Sequence, residues 1–161
     1  MEDVIFARTL HVLGVVLWIG GVAMVTLIVL PLLARTQSTM DATLFFSHFR
    51  RKFAAQARIT TLLVGVSGFY MVHALNVWQR FVQWQYWWMH AMVAIWLLFS
   101  IMLFVLEPRA RRRSSDATTQ KNISPETFAK TQRKHMTLLI LSLCTIAGAV
   151  AGSHGWLIAG N

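Results

Sequence analysis

Long apolar runs alternate with short polar ones along the whole chain, and four of the runs reach the roughly 20 residues that a helix needs to cross a bilayer. They lie at about 4–33, 59–77, 86–106 and 125–159, the last beginning in polar sequence and turning apolar near Met136. Helices that are apolar on every side must be buried in protein or in lipid, and 161 residues leave too little chain to cover four of them. The expected fold is therefore all-α: one membrane domain over 1–161, a bundle of four transmembrane helices with no internal repeat. The first run reads as a span and not as a cleaved leader, because it follows Met1-Glu2-Asp3 and is about twice the length of a secretory apolar core.

The polar segments carry the basic residues, and their placement gives an orientation. All fifteen lysines and arginines except Arg8 and Arg80 fall in or beside the first and third connections. Basic loops stay in the cytoplasm, so both termini are expected outside, on the periplasmic face of a bacterial inner membrane. Trp78, Trp84, Trp87, Trp88 and Trp156 then fall at the outer boundary, where indoles favour the headgroup region. Phe45, Phe46, Phe49 and Phe53 recur at helical spacing opposite Arg50, Arg51 and Lys52. That pattern predicts a short amphipathic helix lying on the inner membrane surface within the first loop. Ser124-Pro125-Glu126 combines an N-cap residue, a proline at the first helical position and an acid in the first turn, and marks the start of the fourth helix.

Composition sharpens this picture. The chain is 56% apolar and 13% charged, against nearer half and a quarter for soluble domains. The net charge of +9 is a topology signal and an attraction to anionic membrane lipid, not a nucleic-acid footprint. The single cysteine, Cys144, excludes an internal disulfide and a Cys-x-x-Cys-His haem attachment. No phosphate loop, dinucleotide fingerprint or His-Glu-x-x-His zinc motif is present.

The candidate chemistry is histidine. His11, His73, His90 and His154 each belong to a different helix, and on this topology all lie roughly 6–11 Å below the outer boundary at 1.5 Å per residue. Ionisable groups inside spans mark function by default, and neutral imidazole binds haem iron and copper. A haem needs two ligands and a gap for a flat macrocycle. His11, Gly14, Trp18 and Gly21 share one helical face, as do Gly65, Phe69 and His73, and His90, Ala94 and Leu97. Arg8, one turn above His11, or Arg80 can pair with the propionates. Met71-x-His73 and Met89-His90-x-Met92 set thioethers beside imidazoles, a weaker pointer to copper. Gly148-x-x-x-Gly152 lets helices approach closely, within one bundle or in a homodimer.

Leu10-His11-Val12-Leu13-Gly14-Val15-Val16-Leu17-Trp18-Ile19-Gly20-Gly21 resembles the first-helix signature of CopD-like bacterial membrane proteins. Phe49-Arg50-Arg51-Lys52-Phe53 leading to Gly68-Phe69-Tyr70-Met71-Val72, and Trp88-Met89-His90-Ala91-Met92 through Pro108-Arg109-Ala110-Arg111-Arg112, resemble the helices that follow, so the likeness covers about 9–113. It implies an inner-membrane protein with a copper-resistance label. The four-helix HemJ-type haem-dependent oxidases are more distantly similar, which would give His11 the role of their early histidine; their membrane lysine has no counterpart in any span here. The expectation is a b-type haem protein ligated by His11 and His90, with His73 and His154 serving a second group or the pocket wall. It would exchange electrons with a quinone or a periplasmic carrier. The alternatives are copper import or handling and a haem-dependent oxidase of a porphyrin or quinone.

Overall fold

The first apolar run stays helical through Gly14, Gly20, Gly21 and Pro31 and extends slightly past its expected bounds at both ends. The computed structural model describes residues 1–35, 40–109, 112 and 125–155. Helix α1 (Glu2–Met24) passes through a wide π-type turn, Val25–Val29, into α2 (Leu30–Arg35). Helix α3 covers Met40–Ala74, and α4 (Trp87–Ile101) also ends in a π-type turn, Met102–Leu106. Helix α5 is Pro125–Ser153, starting at the predicted proline and stopping short of the predicted end. No strand occurs among the described residues.

Three helical segments are long and apolar enough to cross a membrane: Glu2–Leu33, Trp84–Arg109 and Lys130–Ser153. Helix α3 is long enough but less apolar, because it also carries Arg50, Arg51, Lys52, Arg58 and His73, and its inward face holds the buried hydroxyls of Thr60, Thr61 and Ser67. Two of these donate to their own helix, Thr60 to the Gln56 carbonyl (3.1 Å) and Ser67 to that of Leu63 (2.6 Å).

The expected amphipathic helix is not a separate element. Ala54, Ala55, Gln56 and Ala57 are strong helix formers, so no hinge separates Phe53 from the following span. At 35 residues, α3 is ~52 Å long, well beyond the ~30 Å of a hydrocarbon core. Phe49 and Phe53 stack on each other (5.9 Å) and pack against Val25, Leu30 and Leu33, facing the bundle and not a lipid surface. The side chains of Phe45 and Phe46 lie outside the described residues.

Paired contacts show antiparallel neighbours. A Cβ on Gly21 would meet Phe53, one on Gly14 would meet Val64, and one on Gly68 would meet His11. Between α3 and α4, Trp96 covers Gly65 and Arg58 reaches Glu107. Trp87 and Trp88 of α4 lie in the notches left by Gly148 and Gly152 of α5, so this small-residue stripe is filled from within the chain. Helix α5 also packs against α2. Trp18, Ile19, Val22, Val64, Phe99 and Leu139, drawn from all four long helices, make the shared core. Trp18 meets Phe99 edge to face at 5.0 Å. We call the end where α1 begins and α3 and α5 finish the upper end.

The π-type turn of α4 has a specific partner. Its last N–H, on Glu107, bonds to the Met102 carbonyl, which leaves the Leu103 carbonyl without its usual helical donor. Arg58 Nε donates to that oxygen (3.1 Å) while its guanidinium pairs with the Glu107 carboxylate. Removing either charge strands the other in a largely enclosed position. Arg58→Leu or Glu107→Gln is expected to lower unfolding free energy by about 1–3 kcal/mol, read as an earlier unfolding midpoint in detergent. The exposed Arg109→Gln should leave the midpoint unchanged.

At the upper end, α3 stops in a Schellman turn. Asn76 takes φ +51°, its N–H bonds to His73 O, and Val77 N–H bonds to Val72 O. The chain then crosses to α4 through two short 3-10 turns, Trp78–Phe81 and Trp84–Tyr86. Trp78 and Trp84 are exposed there, as an interfacial belt requires, whereas Trp87 and Trp88 turn inward against α5. Trp156 lies outside the described residues.

Candidate functional site

Below the upper end the four long helices line a half-open cavity of about 1090 Å³. This is at the top of the roughly 300–1,000 Å³ range of small-molecule sites. Its walls are mostly apolar, with His11 from α1, Trp96 from α3's neighbour α4, and His154 from the turn after α5 among the polar exceptions. Arg8 and Arg80 also line it, and neither has a carboxylate partner among the described residues. The Arg80 guanidinium lies over the Tyr86 ring, 5.0 Å from its centre. An apolar wall with two cations that lack a carboxylate suits a flat apolar molecule with an anionic edge.

His11 is half-buried, and its ring is held by α3. Nδ1 lies 3.0 Å from the Val64 carbonyl oxygen and 3.2 Å from Ser67 Oγ. A carbonyl can only accept, so Nδ1 carries the proton and donates to Val64 O; the Ser67 hydroxyl proton goes to its own helix. Nε2 is left as the basic nitrogen, with no partner among the described residues. A backbone carbonyl on Nδ1 is the usual way a protein orients a histidine whose Nε2 binds a metal. The sequence makes this fit possible at Gly68, where a Cβ would stand 3.1 Å from the His11 ring.

The remaining candidates divide. His154 lines the cavity, with Nδ1 2.8 Å from Val150 O. His90 does not: its Nε2 is 2.8 Å from the Phe81 carbonyl and its ring stands edge-on to Phe81 at 5.6 Å. His73 is exposed at the end of α3, outside the cavity wall. The expected pairing of His11 with His90 therefore does not match the geometry. Successive helical residues are about 100° apart, and α4 is turned so that Met89, Met92, Val93 and Trp96 face the cavity, while His90, Ala94 and Leu97 do not.

Gly14 is likewise not a gap-former. A Cβ there would come 2.8 Å from Val64, so its role is the close approach of α1 to α3. Gly65, Phe69 and Trp18 do line the cavity, Trp18 being buried at its lower side. Trp96, whose Nε1–H donates to Thr61 O (2.8 Å), fills the space over Gly65 and meets Phe69 edge to face. Met71, Met89 and Met92, expected beside the imidazoles of His73 and His90, line the cavity without them; the cation–π pair of Arg80 and Tyr86 was missed. No cluster of three or more histidine, cysteine or acidic residues that could hold a metal ion occurs among the described residues.

No family model, curated protein or solved structure matches the chain.

Proposed function

We propose that this chain is a b-type haem protein embedded in a bacterial inner membrane, with its four helices spanning the bilayer and its upper end facing the periplasm. The observation that carries the reading is His11, fixed through Nδ1 by Val64 O and bordering a large apolar cavity that Arg8 and Arg80 also line. The residues suit the group: an imidazole Nε2 for the iron, aromatic and aliphatic walls for the macrocycle, and two cations for the propionates. A haem held this way supplies one-electron transfer between ferric and ferrous states. The chain's own contribution is to orient the imidazole, exclude water from the apolar wall and balance anionic charge at the cavity mouth. The electron partner is a membrane quinone or a periplasmic carrier, both of which reach a site near the outer face.

A second reading has a specific observation behind it. Met71, Met89 and Met92 line the same cavity as His11, and thioethers with imidazole select Cu(I). This is copper handling, the activity that the resemblance to CopD-like proteins implies.

Purified protein in mild detergent distinguishes the two. A sharp b-type absorption spectrum in the dithionite-reduced sample is expected, with haem in near-equimolar amount. The double variant Arg8→Gln/Arg80→Gln should bind added haemin roughly tenfold or more weakly, given about 1.5–3 kcal/mol for a charge-assisted hydrogen bond. A colourless protein that stays colourless with haemin and contains stoichiometric copper would replace the haem reading with the copper one.

A further inference from the structure

We infer that the second axial ligand of the haem is His154, at the end of α5, and not the His90 of the family-like motif. This rests on the haem reading above and goes beyond it by naming the opposing ligand. An axial histidine needs a free Nε2 lone pair, a fixed ring and a place on the cavity wall. His11 and His154 alone among the histidines meet these conditions together. Both line the cavity, both give Nδ1 to a backbone carbonyl, Val64 O at 3.0 Å and Val150 O at 2.8 Å, and both keep Nε2 without a partner among the described residues. His90 is arranged the other way round. Its Nε2 is committed to Phe81 O at 2.8 Å, so ligation would have to break that bond and rotate α4 or the side chain.

The local sequence explains why His154 is presented so firmly. Helix α5 ends at Ser153, and Gly155 takes φ +86°, a left-handed conformation that glycine adopts without a Cβ penalty. His154 N–H bonds to Ala151 O and Gly155 N–H to Gly152 O, so the turn carrying His154 is a hydrogen-bonded continuation of the helix and not a free tail. Ser153 Oγ donates to Val150 O (2.8 Å) and lies 3.3 Å from His154 Nδ1, adding a second polar contact beside the ring. Helices α1 and α5 are neighbours in the bundle, joined lower down where Val25–Val29 and Leu30–Arg35 meet α5. Above that junction both helices contribute to the cavity wall, α1 through His11 and the end of α5 through His154.

The test is spectroscopic. Wild-type ferric protein is expected to be six-coordinate and low-spin by absorption and electron paramagnetic resonance. His154→Ala should keep its haem through His11 but become high-spin, and added imidazole should return it to low-spin. His154→Met should remain six-coordinate with a raised midpoint potential, because a thioether favours ferrous iron. A structural role for His154 would produce neither the imidazole rescue nor the potential shift, so the pair of variants stays informative even if the alanine variant is less stable. His90→Ala should leave the spectrum unchanged. A low-spin His154→Ala protein with an unaltered potential in His154→Met, or a high-spin His90→Ala protein, would overturn the assignment while leaving the haem reading intact. A wild type without haem would overturn both.

Discussion

Replacing His11 with asparagine is expected to cut the haem content of the purified protein at least tenfold while leaving the helical bundle folded. Asparagine's amide nitrogen is bonded to Cγ, as Nδ1 is, and can still donate to Val64 O, so the clasp between α1 and α3 is kept and the cost to stability should be under about 1 kcal/mol. What asparagine lacks is an imidazole Nε2 to bind iron. His11→Ala loses both functions and should therefore also show an earlier unfolding midpoint, by about 1 kcal/mol for the missing hydrogen bond. The comparison separates a ligand from a packing residue. If the asparagine variant retains its haem in a six-coordinate, low-spin state, His11 is only the polar link between two helices, and the cavity must hold its ligand by other means.

The largest effect on stability is expected at Gly152. A Cβ there would overlap the six-membered ring of Trp88, and that indole is buried, so the ring must shift to admit it. Gly152→Val should destabilise the bundle by about 3 kcal/mol, at the upper end of overpacking costs. The effect would be read as a lower midpoint in detergent-mediated unfolding. Shrinking the partner should restore much of the loss, so Gly152→Val with Trp88→Leu is expected to be more stable than Gly152→Val alone. Because Trp88 also lines the cavity, both variants should alter haem affinity even where they fold. If valine at position 152 costs less than about 1 kcal/mol, the close packing of α4 on α5 described above is wrong.

Several features of this protein could be read along the chain. Apolar runs predicted helices, and Pro125 opens α5 where the capping pattern placed its start. The hydroxyl-bearing second run was harder. Thr60, Thr61 and Ser67 face inward while Arg58 and His73 add charge or polarity, so α3 falls short of the apolarity of the other three while packing among them. The amphipathic stripe around Phe49 was correctly seen as helical, but its partner was misplaced. A stripe of phenylalanines looks the same whether it meets lipid or α1 and α2, and only the absence of a hinge before Ile59 decided between them. The same ambiguity affected the tryptophans, since Trp87 and Trp88 carry no mark that separates an interfacial indole from one docked on glycine.

The candidate site shows the same division. The place of each histidine along its helix could be counted from the chain, because rise per residue is constant along a helix. Which of them face a common space depends on the rotation of each helix about its own axis, and one residue of shift there turns a side chain through about 100°. On α4 that rotation is set by Trp87 and Trp88 seated on Gly148 and Gly152, a contact between segments some sixty residues apart. It directs Met89 and Met92 inward and leaves His90 on Phe81 O. The sequence by itself determined the helices, their approximate ends and the spacing of polar groups along them, since these follow from local composition and spacing. The choice of His11 and His154 as the wall histidines, and of Gly14 as a packing contact, belongs to the tertiary structure, because side-chain interlocking between distant helices fixes rotation and no local pattern encodes it.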